Sequence, residues 1–143
     1  MAGERGGLKP LTIRQRKRVE RAVDVAENLT GLQICVFIGS VEGERDPRAH
    51  AEALFVQAGL HARPAVLLLV APPQRKVEIV TAPAVRERIP DGAAREAVAA
   101  MVERFKDGDL AGGLVAGVEQ LAATAGPGTP GPDDEELPDV LGG

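Results

Sequence analysis

The stretch PAVLLLVAPPQRKVEIVTA, Pro64 to Ala82, decides the fold. From Ala65 to Ala71 every residue is apolar, the pattern of a central strand with both faces buried. From Lys76 onward Val77, Ile79 and Thr81 alternate with Glu78 and Val80, which suits a strand with one face partly wet. Only Pro72, Pro73, Gln74 and Arg75 separate the two. A parallel crossover needs a dozen or more residues, so these strands form an antiparallel hairpin.

Upstream, Leu32 to Ile38 is a nearly continuous apolar run and is predicted to be a second buried strand. Asp46-Pro47 is a helix start, a cap followed by proline at the first helical position. Ala51, Leu54, Phe55 and Ala58 then form one face before Gly59. Earlier still, Thr12 and Gln15 have capping-box spacing. Val19, Ala22, Val23, Ala26 and Leu29 follow at helical period, and Gly31 ends that helix.

Downstream of the hairpin, Asp91 is expected to cap a helix carrying Ala94, Ala97, Val98, Met101, Val102 and Phe105. KDGD breaks it, and Asp109 caps a last helix with Leu110, Leu114, Val118 and Leu121. The glycines of LAGGLVAG fall inside this helix, where they allow close helix packing. The order is helix, strand, helix, strand, strand, helix, helix. This is an α/β fold, a three-layer sandwich with a small mixed sheet made of a βαβ unit plus a hairpin strand. Residues 1–10 are a flexible start, 11–125 a single domain, and 126–143 a Pro- and Gly-rich acidic tail predicted to be disordered.

Composition narrows the function classes. The chain has three Phe and no Trp or Tyr, so stacking platforms for bases or sugars are nearly absent. Cys35 is the only cysteine, which excludes an internal disulfide; inside LQICVFIG it is a small buried hydrophobe rather than a catalytic thiol. The opening MAGERGGLKP is polar and the longest apolar run is too short to span a bilayer, so the expected compartment is cytoplasmic. Arginine far outnumbers lysine and alanine is abundant, a composition of actinobacterial type. Charge is split along the chain. Arg14, Lys17, Arg18 and Arg21 make the first helix basic, whereas Asp133, Asp134, Glu135, Glu136 and Asp139 make the tail acidic. An anionic membrane surface, a nucleic-acid backbone or the acidic tail itself could cover that helix, each through salt-sensitive contacts.

Taken in order, the apolar strand, the helix, PAVLLLVAPPQRKVEIVTA, an aspartate nine residues on, and RFKDGDLAGGLVAGVEQLA resemble the TPM domain family over about residues 29 to 124. That family is named for a thylakoid lumen protein, a photosystem II repair protein and a nematode acetylcholine-receptor modulator. Its members are typically exported or membrane-anchored, and some act as phosphatases with a bound divalent cation. The resemblance implies the same fold, and it matches Asp91 to the family aspartate. The family's glycine-rich turn after the RKVEI-like strand is replaced here by Thr81-Ala82-Pro83-Ala84-Val85. Pro83 has no N–H to offer an anion, and neither alanine readily adopts positive φ.

Two functions follow. The first is a non-catalytic module that binds an unidentified protein or assists assembly near a membrane complex, with Arg14, Lys17, Arg18 and Arg21 as the partner surface. The alternative is a weak phosphatase with its site at the C-terminal ends of the strands. There a calcium or magnesium ion would sit on Asp91, Asp46 and Glu44, and Arg86 and Arg88 would contact phosphate. No nucleophile is evident. The loop acids lack the twelve-residue calcium pattern, and His50 and His61 are too few for a zinc site.

Overall fold

In the computed structural model, which describes residues 10–39, 46–72 and 75–128, the chain opens with a helix, α1 (Ile13–Thr30). Thr12 caps it: its hydroxyl accepts from the Gln15 N–H at 3.0 Å while the Gln15 side chain accepts from the Thr12 N–H at 2.8 Å. Gly31 closes it with φ 76°, where a side chain would be strained. Strand β1 (Gln33–Ile38) follows, then α2 (Pro47–Gln57), β2 (Ala65–Ala71), β3 (Lys76–Thr81), α3 (Asp91–Lys106) and α4 (Leu110–Ala125). Short 3-10 turns occupy Leu60–Ala62 and Pro83–Val85.

The sheet has the order β1-β2-β3. β1 runs parallel to β2, with Phe37 opposite Leu69, and β3 runs antiparallel to β2, with Glu78 opposite Leu69. Every residue of β2 is buried, as its unbroken apolar sequence requires. The pleat then sorts the two faces. Phe37 lies edge-on to His50 of α2, with ring centroids 6.2 Å apart, so Phe37, Leu69 and Glu78 face α2. Ile34, Val36 and Ile38 face α1.

α4 lies between α1 and α3 and packs against both. Its small residues make this possible. A Cβ on Gly113 would meet the Phe105 ring and would stand 3.0 Å from the Met101 carbonyl oxygen, and one on Gly117 would collide with the Met101 thioether. α4 also leaves its own first turn well capped, since Asp109 accepts from the Gly112 N–H at 2.8 Å.

One expectation is corrected. Asp91 does not cap α3: Pro90, extended at φ −67° and ψ 164°, takes the cap position, and Asp91 is the first helical residue. Proline suits that place because a cap needs no N–H donor of its own. Asp91 there still complements the positive end of the helix dipole.

Candidate functional site

The open edge of β3 is lined on one side by the start of α2 and on the other by the first turns of α3, and the cleft between them holds about 650 Å³. Because the Ala82 N–H donates inward to the Ala65 carbonyl at 3.0 Å, alternation turns the backbone groups of Val77, Ile79 and Thr81 outward into the cleft. Arg48 of α2 reaches across. Its guanidinium donates to the Ile79 carbonyl at 2.8 Å and to Glu52 at 2.9 Å, and approaches Glu78 at 3.5 Å. At the far end of the cleft stand Arg86, Asp91 and Arg95, all exposed. Asp91 and Arg95 are one helical turn apart on α3.

The Ala82–Pro90 segment, which follows β3, turns largely on itself. Val85 and Ile89 are buried and anchor it. The Val85 N–H donates to the Ala82 carbonyl at 2.9 Å and the Arg86 N–H to Pro83 at 3.3 Å; the Arg88 and Ile89 N–H groups both donate to Val85 at 2.9 Å. Those amides satisfy one another, and a Pro83 nitrogen cannot donate at all.

The sequence-derived site residues are therefore dispersed. Arg86 and Asp91 share the cleft. Asp46 does not join them: its carboxylate accepts from the Ala49 N–H at 3.0 Å to cap α2, at the end of the sheet where β1 and β2 finish. β3 is antiparallel and finishes at the opposite end, and Asp91 follows it. Glu44 lies outside the described residues. Among the described residues no three His, Cys, Asp or Glu side chains are grouped to hold a metal ion. Arg88 points elsewhere, donating to the carbonyls of Ala125, Gly126 and Pro127 at 3.3, 2.8 and 3.3 Å. It fastens the end of α4. Arg14, Lys17, Arg18 and Arg21 are all exposed on α1.

Sequence reasoning missed Arg48, Glu78 and Arg95 as cleft residues. Arg95 could have been found from its four-residue spacing to Asp91; Arg48 meets Glu78 only through the return path of α2. Cys35 is half-buried. Burial first, and the charge of Glu27 second, push its thiol pKa up, against smaller opposing effects of Gln33 and Arg63. A thiol held protonated is a poor nucleophile. No helix among the described residues is long and apolar enough to cross a membrane.

Comparison with known proteins agrees with this architecture. Two uncharacterised proteins of Mycobacterium tuberculosis, from strains CDC 1551 and H37Rv, are each 29% identical over 126 residues, 88% of this chain and 74% of theirs. The NMR structure of the BA42 protein from the psychrophilic bacterium Bizionia argentinensis superposes with a TM-score of 0.77 at 24% identity, covering 93% of this chain and 94% of that one. The N-terminal domain of a protein from P. gingivalis gives a TM-score of 0.72 at 20% identity, over 84% and 78% of the two chains. The family model of the TPM domain matches residues 9–124, a span that holds the strand pair and the α3–α4 junction. The chain belongs to the TPM domain family.

Proposed function

We propose that this chain is a non-catalytic TPM-domain module that binds a protein partner through the exposed basic flank of α1, formed by Arg14, Lys17, Arg18 and Arg21. The observation that supports it is the segment Ala82–Pro90, where four successive-turn amides are spent on the segment's own carbonyls. A phosphatase must neutralise charge that develops on phosphate oxygens, and preorganised amides or a metal do this best. Here the amides of Val85, Arg86, Arg88 and Ile89 already have carbonyl partners, and Asp91 and Asp46 stand at opposite ends of the sheet.

The second reading, a weak cation-dependent phosphatase, is favoured by one fact: Arg86, Asp91 and Arg95 face the same cleft. The two are separated by titrating calcium, magnesium and manganese into the isotope-labelled full chain while following amide shifts, together with hydrolysis of p-nitrophenyl phosphate. The module reading expects no saturable shift at Asp91 and no turnover sensitive to Asp91→Ala. Saturable shifts at Asp91 and Arg86, with turnover abolished by Asp91→Ala, would replace it by the phosphatase. Partner capture that survives Lys17→Glu, Arg18→Glu and Arg21→Glu together would move the partner surface away from α1.

A further inference from the structure

A second groove, of about 560 Å³, runs between α1 and α4. Its floor is apolar and open to water: Val25 is 61% exposed and Leu29 47%, large values for aliphatic side chains beside a core. Arg18, Arg21 and Arg104 line it toward the start of both helices, and Glu119 lies partway along. The two helices run parallel, because the chain leaving α4 crosses directly onto the end of α1. The Gly128 N–H donates to the Leu29 carbonyl at 2.8 Å, and there is no room there for a side chain, since a Cβ on Gly128 would stand 2.8 Å from the Thr30 carbonyl oxygen. Arg88 grips the three preceding carbonyls. Gly128 thus stands at the Leu29 end of the groove.

Residues 129–143 carry Asp133, Asp134, Glu135, Glu136 and Asp139 and no lysine or arginine. We propose that this segment folds back along the α1–α4 groove of its own chain, laying its acidic run on Arg18, Arg21 and Arg104. The lengths agree. From Leu29, Arg21 and Arg18 lie about 12 and 17 Å back along α1 at 1.5 Å per residue. Asp133 is five residues past Gly128 and reaches up to ~17 Å when extended. The proline- and glycine-rich residues 129–132 then pass over Val25 and Leu29, and the four consecutive acids arrive where the arginines are. The contact is intramolecular, so a short connecting segment gives it a high effective concentration without a large interface. Being largely electrostatic at a wet surface, it weakens with salt. This docking does not depend on the proposed function; it makes the basic face of α1 one that any other anionic partner must compete for.

The test uses the full chain with Cys35→Ser and Pro138→Cys, the new thiol carrying a nitroxide. At low salt the amide signals of Arg18, Arg21, Val25, Leu29 and Val115 are expected to broaden selectively. The broadening is lost at high salt, and lost when Asp133→Asn, Asp134→Asn, Glu135→Gln and Glu136→Gln are combined. Uniform broadening, broadening centred on α2 or the β3 cleft, or indifference to neutralising the four acids overturns the proposal. Broadening that appears only when spin-labelled chains are mixed with isotope-labelled, unspin-labelled ones assigns the groove to a second copy instead. Groove signals untouched by the tail but shifted by phosphatidylglycerol vesicles assign it to a membrane surface.

Discussion

The Arg48 guanidinium donates to the Ile79 carbonyl at 2.8 Å, across the open edge of β3. At the opposite edge of the sheet the Ile34 N–H of β1 donates to the Glu27 carboxylate at 2.8 Å. Each outer strand therefore has one outward backbone group closed by a charged side chain from a neighbouring helix. An unguarded edge is a template for pairing with another chain, and charges placed on it discourage that.

Replacing Arg48 by alanine removes a charge-assisted hydrogen bond at a half-exposed site as well as the Glu78 and Glu52 contacts. The expected cost is about 1 kcal/mol, since the exposed ion pairs add little beyond the bond to the carbonyl. The more diagnostic outcome is association: light scattering of concentrated Arg48→Ala should show more self-pairing than the parent at the same concentration. A fully monodisperse variant would mean that another feature guards this edge.

Glu27 and Cys35 are coupled through charge. Folding raises the thiol pKa, so the folded state holds that proton more tightly than the unfolded one. The associated stability is complete below the ordinary thiol range and declines as pH rises from about 8.5 through the raised folded value. Cys35→Ser should flatten that alkaline decline in a melting-temperature profile. Glu27→Gln should speed reaction of the thiol with a disulfide reagent at fixed alkaline pH, because Glu27 raises the pKa.

Gly113→Ala sets two effects against each other. Alanine improves helix propensity by about 1 kcal/mol, yet the added methyl meets the Phe105 ring and the Met101 carbonyl oxygen. The carbonyl belongs to the backbone of α3 and cannot swing away, and overpacking of this kind costs about 1–3 kcal/mol. A net loss is expected, visible as a lower denaturant midpoint. An unchanged or higher midpoint would show that α3 and α4 separate easily.

Arg88→Ala should loosen the segment after α4 without altering the β3 cleft. Its three carbonyl contacts involve a charged donor, and losing them at a partly buried site costs roughly 1–2 kcal/mol. Hydrogen exchange is the sensitive readout: the Gly126 and Gly128 amides, which donate to Ala122 and Leu29, should exchange faster. The amide positions of Arg86, Asp91 and Arg95 in the β3 cleft should stay where they are in the parent.

Local patterns carried the fold. A four-residue link dictated the hairpin, and Thr12, Asp46 and Asp109 each cap the helix their spacing suggested. Asp91 failed as a cap because Pro90 met the same geometric need one residue earlier. The site was far less legible. Whether Asp46 and Asp91 converge depends on strand direction across the whole sheet, and an antiparallel β3 sends Asp91 to the other end. Arg48 and Glu78 are thirty residues apart, and no local period links them. Nor did anything in the first helix reveal that Val25 and Leu29 would remain open to water beside α4.

The parallel packing of α1 on α4 also fixes a timetable. β2 with β3, and α3 with α4, are neighbours in sequence and can pair as soon as they emerge during synthesis. α1 is made first, yet its principal packing partner is the last helix. Until α4 has left the ribosome, Ala26 lacks the helix it packs against, and the first helix must wait for most of the chain to be made before its α4-facing side is covered. A chain stalled after Lys106 should accordingly be cut by protease within α1, and one extended well past Ala125 should resist.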